Sequence, residues 1–154
     1  MNTNMWQRIQ TVFLALTIIT SIISLILPIW QGQADGLPVT LTPFYLTKME
    51  AYDYIPYSLT AVLVVASITV SLIEIKRYDN RVLQMKLGVL NTLLLAGSMV
   101  CVAVFTLNLT REYPVGAKNG IGMFLIFGAV LCNWLALRFI RRDERLVRDS
   151  DRLR

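Results

Sequence analysis

Five residues of this 154-residue chain have types that could do chemistry inside an apolar setting: Cys101, Cys132, Glu74, Asn91 and Asn133. The cysteines do not form a CxxC pair, and each lies in an apolar block, where a free thiol behaves as a small hydrophobe. Their number and placement exclude a disulfide scaffold. The chain has no histidine, so the commonest metal ligand and the usual neutral-pH base are both missing. Methionines alone make a poor haem pair. Gly120-Ile121-Gly122 is only a fragment of a phosphate loop and starts a span. Catalysis needs convergent nucleophiles, acids or metal ligands. None converge here, so the expectation is a chain that is not an enzyme and carries no cofactor and no metal.

The elements that hold these residues follow from how charge is spread. Apolar residues make up 55% of the chain and charged ones 16%, with a mean hydropathy of +0.56. The charges fall between apolar blocks long enough to cross a bilayer, which takes about 20 residues of helix. Four such spans are expected, at residues 11–30, 55–75, 87–107 and 119–138, with a tail at 139–154. The predicted fold class is all-α: a single domain built as a four-transmembrane-helix bundle with a short external loop element and a C-terminal helix extension. The first block carries no charge, is longer than the 7–15 residues of a signal-peptide core and is followed by no small-residue cleavage site, so it reads as a retained span. Trp6 and Trp30 flank it as interface anchors. Proline at Ile55-Pro56 suits the first turn of the second helix.

Lysine and arginine set the expected orientation. With the N-terminus inside, the cytoplasmic segments hold 12 of the 15 positive charges, and Lys48, Arg111 and Lys118 remain outside. Both termini are therefore expected in the cytoplasm. The same clustering makes the net charge of +5 a membrane-flank signal, and no nucleic-acid partner is expected. The first external loop carries Phe44, Tyr45, Tyr52 and Tyr54, read as interfacial anchors, and the alternation in Leu37–Leu41 hints at a short strand, one arm of a hairpin.

Polar groups inside spans are expensive and tend to face the bundle. Antiparallel third and fourth helices bring Asn91 and Asn133 to similar depth, and a hydrogen bond between them is expected as structural glue. Glu74 falls in the last turn of the second helix near Lys76, Arg77 and Lys86. An interfacial salt bridge is expected there in preference to a proton relay, which would sit nearer the midplane. Small residues recur at helical spacing: Thr17, Ser21 and Ser24; Ser67 and Ser71; Gly97 and Cys101; Gly128 and Cys132. Such stripes let helix backbones approach.

In the tail, Phe139, Leu146 and Leu153 recur every seven residues, as do Ile140 and Val147. Around this narrow seam four acids accompany seven arginines, and Glu144–Arg148 is a helix-supporting i,i+4 pair. A clamp for anionic lipid would carry basic residues without acids. Two readings stay open. The tail is a solvated helix whose arginines fix topology, or it docks on protein through Phe139, Arg142, Glu144, Leu146, Val147, Arg148 and Leu153.

The opening Trp6-Gln7-Arg8-Ile9-Gln10-Thr11, the loop Asn80-Arg81-Val82-Leu83-Gln84-Met85-Lys86-Leu87 and the tail from Arg141 to Arg154 together resemble a family of small four-helix inner-membrane proteins of Bacteroidota whose function is unknown. The resemblance spans nearly the whole chain, and its most specific part is the tail. Leu137 departs from it, standing where the family pattern has asparagine. The resemblance implies a lineage and a compartment and no activity. From the residues, the expected function is a non-catalytic accessory subunit or assembly factor that docks to a larger membrane complex through its C-terminal helix. The alternative is a small oligomeric transporter or channel. The expected partners are the lipid bilayer and a protein in the inner membrane or cytoplasm.

Overall fold

The computed structural model of the chain describes residues 3–48, 51–77 and 80–152, with side chains described except at 3–8, 81 and 143–152. Four helices carry it: α1 (Thr3–Ile26), α2 (Ser58–Lys76), α3 (Arg81–Glu112) and α4 (Ile121–Arg152). Each holds an apolar stretch long enough to cross a membrane, at Ile9–Ile26, Ser58–Lys76, Val82–Glu112 and Ile121–Arg142. Helices adjacent in sequence pack on each other, and α4 closes the ring against α1. The burial pattern is inverted relative to a water-soluble bundle. Thr17, Ser24, Ser67, Ser71 and Asn91 are fully buried, while Val12, Leu93, Val100 and Phe124 are more than half exposed. Polar side chains inside and aliphatic ones outside is the arrangement that lipid selects. This is a multi-pass membrane protein.

An all-α fold is not what the chain adopts. Five short strands form an antiparallel sheet across one end of the bundle, in the order β4-β3-β2-β1-β5. They are β1 (Trp30–Ala34), β2 (Leu37–Leu41), β3 (Leu46–Lys48), β4 (Ala51–Asp53) and β5 (Lys118–Asn119). The strand hinted at in Leu37–Leu41 is β2. Its partner β1 pairs with it from Trp30↔Leu41 to Ala34↔Leu37, which leaves Asp35-Gly36 as a two-residue turn. Both turn residues have positive φ, 53° and 80°, the left-handed pair that a type I′ hairpin needs. The next turn is held by Thr42, whose amide donates to the Tyr45 carbonyl at 2.9 Å and whose hydroxyl accepts from the Tyr45 amide at 3.1 Å. β5, from the segment entering α4, adds to the far edge of β1.

The sheet is a lid with a shared core. Trp30, Val39, Leu41 and Leu46 of the strands cluster with Val64 of α2, Val102 and Leu109 of α3 and Ile126 of α4. Trp30 therefore differs from the expected interface anchor. Pro28 lacks an amide hydrogen and disfavours helix in the residue before it, so α1 stops at Ile26 and the chain turns into β1. That places Trp30 under the sheet at 0% exposure, with its indole N–H donating to the Thr110 hydroxyl of α3 at 2.9 Å. The expected helix start at Ile55-Pro56 also shifts. Pro56 lies in the turn before α2, and its carbonyl accepts from the Leu59 amide of the first helical turn.

Where α1 leaves the membrane it touches the start of α4 backbone to backbone. The Gly120 amide donates to Ile29 O at 2.7 Å and the Gly122 amide to Pro28 O at 3.0 Å. A Cβ on Gly120 would collide with the Pro28 carbonyl oxygen, so only glycine permits the crossing. At the opposite end, Asn80 caps α3 by accepting the Leu83 amide at 3.0 Å, and Phe13 of α1 stacks on Phe139 of α4 with centroids 5.5 Å apart.

Candidate functional site

The polar residues of α2, α3 and α4 meet in one buried network. Ser67 and Ser71 lie one turn apart on the inner face of α2, and Asn91 of α3 faces both. The Ser67 hydroxyl donates to Asn91 Oδ1 at 2.5 Å, and Asn91 Nδ2 donates to Ser71 Oγ at 2.8 Å. The second Nδ2 hydrogen of Asn91 goes to Asn133 Oδ1 of α4 at 2.7 Å. Asn133 Nδ2 donates in turn to Thr92 Oγ1 at 2.9 Å and to the Gly88 carbonyl at 3.4 Å. The Thr92 hydroxyl donates to that same carbonyl at 2.8 Å. Every amide hydrogen of both asparagines is used. A closed network of this kind cross-links helices and fixes their register. Neither asparagine keeps an amide donor free for a passing substrate.

One turn along α2 from Ser71 the pattern changes. Glu74 continues the stripe of Ser67 and Ser71 and is 0% exposed, and neither carboxyl oxygen has a hydrogen-bond partner among the described residues. Its surroundings are the Gly88 backbone and the Leu137 side chain. A Cβ on Gly88 would sit 3.0 Å from Glu74 Oε1 and 2.9 Å from Leu137 Cδ1, so the absence of a side chain there makes the slot. Gln84, itself buried, reaches the backbone carbonyl of Glu74 at 3.5 Å. The salt bridge expected from the sequence does not form among the described residues. Lys76, Arg77 and Lys86 are exposed: Lys76, two places beyond Glu74, lies on another side of α2, and Arg77 is the C-cap residue, past the last helical turn. An uncompensated charge in such a slot costs several kcal/mol, so it holds either the neutral acid or a carboxylate matched by a cation.

The tail candidates separate. Phe139 is half-buried against Phe13, and Ile140 is 1% exposed, so both belong to the bundle. Arg142 is exposed beside a groove between α3 and α4. Glu144, Leu146, Val147 and Arg148 lie on a continuous helical backbone past the apolar stretch. Leu153 lies outside the described residues. Cys101 and Cys132 are free thiols, each half-buried in its span. The small-residue pairs also separate. A Cβ on Gly97 would meet Leu63 of α2 at an ordinary 3.6 Å, but one on Gly128 would meet nothing within 4 Å, so Gly128 is not a packing notch within this bundle.

On the sheet, sequence reading missed a surface array. Tyr45 meets Tyr52 and Tyr54 edge-on, at centroid distances of 5.1 and 5.8 Å. Lys48 donates to the Tyr113 hydroxyl oxygen at 2.7 Å, and that hydroxyl donates to Glu112. The hydrogen bond to Tyr113, with the nearby negative charge of Glu112 and Asp35, holds the Lys48 amine above its ordinary value. The signal for Glu74 was present in the sequence: 67, 71 and 74 fall at i, i+4 and i+7, one face of a helix. Nothing in the sequence marked Gln84 or Thr92 as inward.

No curated protein and no solved structure matches the chain. Residues 6–153 match the family described as a domain of unknown function (DUF4293), and the chain belongs to that family.

Proposed function

We propose that this protein is a non-catalytic accessory subunit or assembly factor of a larger inner-membrane complex, oriented with both termini in the cytoplasm. It docks through the part of α4 beyond its span. The observation that carries the reading is the length of α4. Its uncharged run ends at Leu137 and the helix runs on to Arg152. That extension continues an already nucleated helix, so it keeps its shape past the span and presents a side-chain surface there. The segment carries Leu146 and Val147 among charges of both signs, a pattern suited to a groove on protein. The closed asparagine network supports a structural role for the bundle, since a transport path needs polar groups with free valences.

The test uses the full chain in its native membrane. Photo-crosslinkers at positions 146 and 147 are expected to trap one defined protein in stoichiometric yield. Leu146→Asp with Val147→Asp is expected to abolish the adduct and leave membrane insertion unchanged. A native particle whose mass is the same with and without residues 143–154 overturns the docking role.

Glu74 favours a second reading, a small oligomeric transporter, because a buried acid without a partner is a residue type used in ion coupling. Flux into liposomes that is lost in Glu74→Gln would establish it.

A further inference from the structure

Between α3 and α4, at the end of the bundle away from the sheet, runs an open groove of about 630 Å³. Its inner part is apolar: Val89 and Leu93, one turn apart on α3, face Trp134 of α4, and they are 41%, 65% and 50% exposed. Its outer part is cationic. Arg138, Arg141 and Arg142 line it just beyond Leu137, where the uncharged run of α4 ends, and no acid lines it among the described residues. Trp134, Arg138 and Arg141 stand at i, i+4 and i+7, so apolar wall and cationic rim are one face of one helix. The distance along the axis from Trp134 to Arg141 is about 10 Å at 1.5 Å per residue.

We propose that this groove is a binding site for an anionic phospholipid, its acyl chain lying on Val89, Leu93 and Trp134 and its phosphate held by Arg138 and Arg141. Charge and depth together choose the occupant. The apolar wall lies at the level of lipid tails and the arginines lie where headgroups begin, so an amphiphile with an anionic head matches both parts at once. Arg138 is already oriented, with its guanidinium 5.6 Å from the Trp134 ring centre. A guanidinium stacked on an indole keeps its N–H edges in plane for bidentate contact with phosphate. Thr92 also lines the groove, but its hydroxyl is committed to the Gly88 carbonyl, so recognition of the head falls to the arginines. A protein segment is the poorer match here, because the mixed-sign pattern suited to protein begins only after Arg142. The groove is separate from the docking segment, and the proposal does not rest on the docking reading.

The experiment is native mass spectrometry of the full chain released from vesicles of phosphatidylcholine containing about 20% phosphatidylglycerol. One phosphatidylglycerol is expected to be retained in preference to phosphatidylcholine. Arg138→Gln with Arg141→Gln is expected to cut that retention about tenfold, from the loss of two charges near the headgroup. Arg145→Gln with Arg148→Gln serves as the control of equal charge and is expected to change it little. Because Arg141 is fully on the surface, Arg141→Gln alone gives the same reading with a smaller loss if the double variant aggregates. Conversion of both residues to lysine is expected to preserve the charge and restore part of the retention. Equal retention of the two lipids, an equal loss in the control variant, or displacement by millimolar inorganic phosphate would each overturn the proposal.

Discussion

Asn91 is the residue on which three helices converge, through Ser67, Ser71 and Asn133. Buried pairs of this kind in membranes couple by about 0.6 kcal/mol on average and up to about 1.7. A double-mutant cycle with Asn91→Ala and Asn133→Ala, followed by unfolding in mixed micelles, is expected to give a coupling in that range. Glu74 has the opposite character, its buried carboxyl oxygens having no hydrogen-bond partner among the described residues. If the slot holds a neutral acid, Glu74→Gln is expected to leave the thermal midpoint unchanged or raised. A loss above about 1 kcal/mol would instead show that a carboxylate is matched there by a cation, since breaking a buried ion pair is costly. At the sheet, Lys48 is held above 10.5 by its hydrogen bond to Tyr113. A raised value in the fold means that the contact favours folding fully below the unfolded value and loses that contribution as pH rises through the folded one. Tyr113→Phe should bring Lys48 back toward its ordinary titration, seen as faster acylation of the amine near pH 10.

Among the elements, the decisive crossing is that of α1 and α4 at Pro28 and Gly120. Gly120→Ala would drive a methyl group into a backbone carbonyl that has no room to move, because Ile29 and Pro28 are themselves tied to α4. The expected result is failure to fold, read as loss of monodisperse protein after extraction. Gly128→Ala meets open space and removes a poor helix former, so it is expected to be tolerated and to stabilise by up to about 1 kcal/mol. The contrast separates the backbone crossing just before α4 from helix propensity inside it. It also places the close approach at the end of α4, where strands and helices share a core, instead of in the middle of the span.

For the whole molecule, the sheet and the basic ends lie at opposite ends of the bundle, and orientation in the membrane is the open variable that charge bias addresses. In a background with Cys101 and Cys132 replaced by alanine, Asp35→Cys in the β1–β2 turn is expected to react with a membrane-impermeant maleimide from outside intact cells. A cysteine at Ser150 should react only after lysis. The reverse pattern would invert the topology and place the groove arginines on the outer surface.

Four spans were legible because a stretch of about 20 apolar residues is a one-dimensional property, fixed by the thickness of lipid and not by neighbours. The Asn91–Asn133 meeting was foreseeable for a related reason, since antiparallel neighbours of known length put residues at predictable depth. Helical spacing also carried the inward direction of Glu74, through its register with Ser67 and Ser71, although proximity in sequence to Lys76 and Arg77 pointed elsewhere. The sheet was visible only as a fragment, the Leu37–Leu41 alternation. Strands of two to five residues gain their stability from pairing and from the helix ends beneath them. Trp30 shows the limit most clearly. Its sequence position fits an interface anchor, and only the turn at Pro28 and the closing of β1 between β2 and β5 put it in the core. Register, slot and groove depend on which faces meet, and that is settled by contacts between residues far apart in sequence, such as Trp30 with Thr110 and Phe13 with Phe139.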